Sequence, residues 1–91
     1  MTALPAGVRA YKQTPVFDQD TVPAALCRDH QTKDGVWGRI VVLSGRLRYV
    51  VPSTATVETL SPERCGIVEP AMPHHVEPLG EVQFFVEFLR A

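Results

Sequence analysis

Three histidines, one carboxylate inside an apolar run and one arginine inside another are the side chains best placed to do chemistry in this sequence. His74 and His75 follow Glu69-Pro70-Ala71-Met72-Pro73. The prolines of this Pro-x-x-Pro-His step set the direction of the chain into a strand and are expected to stay out of its middle. Successive strand residues point to opposite faces, so the two imidazoles cannot both look inward. His74 shares a face with Val76 and His75 shares one with Glu77. His74 is therefore the inward, functional candidate and His75 the solvated one. An imidazole can hold a metal or move a proton, and more plainly it can hydrogen-bond to backbone. Glu87 is the lone charge in Phe84-Phe85-Val86-Glu87-Phe88-Leu89. Buried, it needs a partner; on an edge strand it would discourage aggregation. Arg39 shares a strand face with Trp37 and Val41. Its fork of donors suits an oxyanion, and equally a cross-strand ion pair or a snorkelling surface position.

These residues need strands to position them, and strand signals dominate. Proline at 5, 15, 23, 52, 62, 70, 73 and 78 leaves no room for a long helix. Residues 36–43 are rich in β-branched and aromatic types, Ser44-Gly45 reads as a tight turn, and residues 46–51 alternate. That pattern predicts a β-hairpin. Further strands are expected at 24–30, 55–60, 66–69, 74–77 and 81–89, with Ser61-Pro62-Glu63-Arg64 as a turn. Residues 1–20 read as an extended arm with one edge strand. Many short strands and frequent turns point to a sandwich or barrel.

Composition narrows the function classes. Ninety-one residues make one domain, 1–91, with a single modest core. A net charge of -1 gives no electrostatic reason to expect nucleic acid or an anionic membrane. No apolar run approaches the roughly 20 residues of a membrane span. The start, Met1 to Gly7, lacks the basic and apolar regions of a signal peptide, so a cytoplasmic location is the default expectation. Cys27 and Cys65 form no C-x-x-C pair and are expected as free thiols, Cys27 in buried packing and Cys65 in a turn. No Ser-His-Asp or Cys-His order appears, so catalytic residues remain unassigned and nucleophilic hydrolysis is disfavoured.

The chain resembles the small cupin-like domains grouped as tellurite-resistance protein B-like, or YeaR-like. The resemblance is carried by Leu4-Pro5, Thr14-Pro15-Val16-Phe17, Val22-Pro23-Ala24 and His30-x-Thr32-Lys33. It continues through Gly35-Val36-Trp37-Gly38-Arg39, Gly45-x-Leu47-x-Tyr49, Val68-Glu69-Pro70, Pro73-His74 and residues 84–88. It implies an all-β fold, a single cupin-like double-stranded β-helix, or jelly-roll, barrel. It also implies a metal site of histidines on different strands plus a carboxylate, a set that first-row metals accept. Carried onto this sequence, the metal set is His30, His74 and Glu87, with Glu69 in reserve. The metal would be a divalent ion such as zinc, iron, manganese or nickel. Thr32 stands where the cupin pattern carries a second histidine. Arg39, Trp37 and Tyr49 are the expected ligand-binding residues, Arg39 facing a small anionic molecule, and Lys33 is solvated. The implied setting is oxyanion or nitrosative stress, with pairing into a homodimer. The opposing reading is a metal-free small-molecule or protein-binding module without catalysis. Some relatives carry a similar domain ahead of an S-adenosylmethionine-dependent methyltransferase. These 91 residues have no glycine-rich nucleotide loop, so methyl transfer is not carried over.

Overall fold

Two long antiparallel strands organise the chain, and they arise where the β-branched and aromatic residues are densest. A computed structural model describes residues 3–91. Its strands are β1 (Arg9–Gln13), β2 (Phe17–Asp18), β3 (Trp37–Val51), β4 (Thr56–Leu60), β5 (Gly66–Val68) and β6 (His75–Arg90). β3 and β6 pair along nearly their full length, from Trp37 with Leu89 to Val50 with His75. The far edge of β3 carries β4 along Leu47 to Val51 and β5 along Gly38 to Ile40. The far edge of β6 carries β1 and β2. The result is a six-stranded, open antiparallel sheet of order β1-β6-β3-β4. Short 3-10 turns occupy Ala24–Cys27 and Pro52–Thr54, and no α-helix occurs among the described residues.

Several sequence expectations are corrected here. Ser44-Gly45 is not a hairpin turn, because β3 runs straight through it. The register with β6 shifts between Val42 and Ser44 and again between Gly45 and Leu47. The first shift is a bulge that exchanges the faces. Before it Gly38, Ile40 and Val42 are buried; after it Leu47, Tyr49 and Val51 are. Gly45 is needed at the second shift. Its φ is +79°, and a Cβ there would overlap the Glu81 carbonyl oxygen and lie 2.9 Å from the Val82 Cα. A glycine therefore marks a close backbone crossing, with no reversal of the chain.

The segments 74–77 and 81–89 are likewise one strand. Pro78 sits in the middle of β6, against the expectation for proline. It does so where β6 takes four steps, from Pro78 to Val82, against two in β3, so regular ladder bonding is already interrupted. Residues 24–30 contain the 3-10 turn and an isolated His30–His74 bridge in place of a strand. The N-terminal arm carries two strands on β6, more than the single edge strand expected; Met1 and Thr2 lie outside the described residues. Cys27 is exposed, not buried, and Cys65 is exposed too; both are free thiols.

One hydrophobic cluster fills the inner face. It joins Ile40, Val42, Leu47, Tyr49 and Val51 of β3 with Leu60, Val68, Val76, Val82 and Phe84. Phe17 meets the Phe84 ring edge-on at 5.8 Å, which seats β2 against the core.

Candidate functional site

His74 lies just ahead of β6 and is 4% exposed, the one buried polar side chain of the core among the described residues. Its backbone exchanges two hydrogen bonds with His30, at 2.9 and 2.8 Å. This bridge brings the two imidazoles together, ring centroids 4.3 Å apart and planes tilted by 53°. The Tyr49 ring meets His74 edge-on at 5.6 Å. His30, His74 and Tyr49 thus form a column of rings against the inner face of the sheet.

The protonation of that column follows from its surroundings. His74 Nδ1 lies 2.9 Å from the Met72 carbonyl oxygen, which can only accept. Nδ1 therefore carries the proton, and in the neutral ring the lone pair is on Nε2. Burial lowers the pKa of His74, opposed by the Met72 carbonyl. Burial also lowers that of His30, reinforced by His74. Both rings are held toward the neutral form. Burial, together with the Glu58 and Glu69 carboxylates, pushes the Tyr49 hydroxyl up to about 12. His75 differs: its Nδ1 is 2.7 Å from Asp29 and its Nε2 3.1 Å from Glu77, and the Asp29 hydrogen bond leads in raising its pKa.

Two cavities flank the ring column. The inner one, about 40 Å³, is lined by both histidines, Thr32, Leu26 and apolar residues that include Ile40, Val68 and Phe84. It has room for at least one water-sized group. Thr32 closes its own loop by donating to the Val36 carbonyl at 2.7 Å, which is its role at the position where a second histidine was expected. The outer cleft, about 280 Å³, has Tyr49 and Met72 among its lining residues and lies beside β4.

The expected site residues separate into two groups. His30, His74 and Tyr49 come together. Glu87 does not join them. It is the register partner of Arg39, which holds it through Nε at 2.8 Å and Nη2 at 2.7 Å. Strand alternation explains this. Gly38, Ile40, Val86 and Phe88 line the inner cavity, so the residues between them, Arg39 and Glu87, face the other way. Trp37, opposite Leu89, shares that outer face. Glu69 lines the outer cleft. Among the described residues no three His, Cys, Asp or Glu side chains are grouped to hold a metal ion. Two imidazoles fall short of the three protein ligands that a catalytic metal takes, so the residues present do not fit the expected metal set.

The inner-face carboxylate that sequence reading missed is Glu58. It pairs with Tyr49 across the ladder, and it shares a face with Leu60, which is fully buried. Counting back two from Leu60 would have found it. The apolar neighbour Val57, 62% exposed, makes the alternation look reversed.

Comparison with known proteins places this geometry. The TehB-like domain family matches residues 12–86. The chain belongs to the TehB-like family. Its relatives include the probable S-adenosyl-L-methionine-dependent methyltransferase TehB of Haemophilus influenzae strain ATCC 51907, 37% identical over 76 residues. The same protein from strain 10810 is 36% identical over 76 residues. In each case the match covers 78% of this chain and 27% of the relative, so the TehB-like chain spans about a quarter of those proteins. The crystal structure of TehB from Haemophilus influenzae superposes with a TM-score of 0.83 at 30% identity, over 91% of this chain and 31% of that one. A protein from E. coli strain K12 superposes with a TM-score of 0.88 at 23% identity, over 100% of this chain and 98% of that one. That second likeness is one of fold. It shows this architecture occurring as nearly the whole of a chain.

Proposed function

We propose that this TehB-like chain is a small-molecule-binding domain with a cupin-like barrel, and that it binds without metal and without catalysis of its own. The observation that carries this is the ring column. His74 is buried, held toward the neutral form, and locked by the Met72 carbonyl in the tautomer whose Nε2 is the acceptor nitrogen. An oriented acceptor beside an apolar cavity suits a small guest with one donor group. The expected anion partner, Arg39, is engaged by Glu87 on the other face. The barrel reading rests on the bulged β3 and β6, whose inner residues form one cluster along both halves of each strand. Methyl transfer, named for the Haemophilus relatives, belongs in this reading to the three-quarters of those proteins that the match leaves uncovered. The implied setting is oxyanion or nitrosative stress, and the implied assembly is a homodimer formed by adding a second copy to the exposed β1 or β4 edge.

The test is a two-dimensional amide NMR titration of tag-free protein with formamide and with methanol. Shifts centred on His30, Thr32 and His74, lost in His74→Phe, support the reading. A parallel titration with zinc chloride addresses the alternative. One zinc bound per chain, abolished by His74→Ala, would replace the metal-free reading with a metal-dependent one.

A further inference from the structure

The outer cleft has a chemistry of its own. Thr56 and Glu58 of β4 pair with Val51 and Tyr49 of β3, so all four side chains share the inner face. Ile67 and Met72 add apolar wall. At about 280 Å³ the cleft is several times the size of the histidine cavity and can admit a molecule of several heavy atoms. Its charged lining residues among those described are Glu58, Glu69 and Arg64. Arg64 reaches Glu58 only at 3.4 Å and its side chain is 53% exposed, so this cation lies at the solvent side of the cleft. Glu58 is 28% exposed and lies deeper. The Glu58 and Glu69 carboxylates both act on the same Tyr49 hydroxyl, which places their field at the aromatic wall. That hydroxyl is only loosely held, 3.4 Å from the Ile67 carbonyl.

We infer that this cleft is a second binding site, separate from the histidine cavity, and that it takes a small organic cation, an alkylammonium with an apolar body. Carboxylates within a half-dry wall favour a positive guest, because water screens them incompletely there. The Val51, Ile67 and Met72 surfaces cover its carbon skeleton. The Thr54 and Thr56 hydroxyls, 2.6 Å apart, supply oxygen acceptors for an N–H donor. An anion would meet two carboxylates and only a partly engaged, exposed arginine.

The experiment is an amide NMR titration of the whole chain with n-butylammonium chloride, and separately with sodium butyrate at the same ionic strength. The expected result is saturable shifts at Glu58, Arg64 and Ile67 with the cation, and none with the anion. Two variants should then move affinity in opposite directions. Glu58→Gln removes a deep carboxylate and should weaken binding by about twofold to fivefold; Arg64→Ala removes the competing cation and should tighten it by a similar factor. Both substitutions are at non-core positions, and the dispersion of the same spectra confirms folding. Preferred binding of butyrate, or equal response of both variants, overturns the assignment. Cation shifts centred on His30 and Thr32 would overturn it too and point back to the inner cavity, so failure here is distinct from failure of the histidine site.

Discussion

Gly45 offers a direct test of how β3 and β6 cross. Gly45→Ala should be far more damaging than Gly80→Ala, although both positions have positive φ, +79° and +86°. An alanine in a left-handed conformation costs roughly 1–2 kcal/mol. At Gly80 nothing lies within 4 Å of an added Cβ, so that cost is the whole effect. At Gly45 the added carbon overlaps the Glu81 carbonyl and comes within 3.0 Å of its carbon, all of it backbone. Moving two paired strands apart adds roughly 1–3 kcal/mol, the range for overpacking. A domain of this length is stable by roughly 5–13 kcal/mol, and each kcal/mol is worth about 4–8 °C in melting temperature. Gly80→Ala should therefore melt roughly 5–15 °C below the native chain, and Gly45→Ala roughly 4–24 °C lower again. The assay is thermal unfolding followed by near-ultraviolet circular dichroism, with urea unfolding as a check. Equal losses at the two positions would refute the close crossing. They would restore an ordinary tight turn at Ser44-Gly45.

Phe84, fully buried between Phe17 and the rest of the cluster, should cost about 3–5 kcal/mol as Phe84→Ala in urea unfolding. The Arg39–Glu87 pair, 36% and 18% exposed, should show a coupling of only about 0.5–1 kcal/mol in a double-mutant cycle. Glu87→Gln should leave formamide binding at the histidine cavity unchanged by NMR, since the carboxylate lies on the opposite face. The pKa values of His30 and His74 are lowered on folding, so the unfolded chain takes up their protons first. Their contribution to stability should be complete above about pH 6.5 and fall as the pH drops below it. His75 has the opposite sign: its raised pKa stabilises below about pH 6.5, and that contribution is lost as pH rises through the folded value. Urea midpoints against pH should consequently flatten on the acid side in His74→Phe and on the neutral-to-alkaline side in His75→Gln.

Much of the strand content was legible in the sequence, because β-branched and aromatic runs mark 37–51, 56–60, 66–68 and 84–89 directly. Connectivity was less so. Gly45 and Gly80 carry the same local signal whether the chain reverses or merely kinks, and only the distant partner strand decides between these outcomes. The inward aspect of His74 followed from two-residue parity with Val76; its nearness to Tyr49 depends on the β3–β6 register, which sets Tyr49 opposite Val76. Glu87 misled for a physical reason. A carboxylate among aromatics looks buried, yet its cross-strand partner Arg39 is 48 residues away in sequence, and nothing local reveals the pair. Glu58 was hidden by its neighbour Val57, whose apolar side chain faces solvent.

The full-length pairing of β3 with β6 bears on how the chain must fold. Their nearest partners, Val50 and His75, are 25 positions apart, and their farthest, Trp37 and Leu89, are 52 apart. No short turn joins them, so the central ladder cannot begin as a local hairpin. The local alternative is β3 with β4, where Val51 meets Thr56 across the Pro52–Thr54 turn. A hairpin of that kind forms in about 1–10 μs, whereas loop closure over tens of residues precedes any gain from the long ladder. The β3–β4 hairpin should order first and present the Leu47 to Val51 half of β3 as a template. β6 then zips from His75 toward Leu89 past the Gly45 crossing. Refolding should accordingly fall in the slow, millisecond-to-second range of chains dominated by distant contacts.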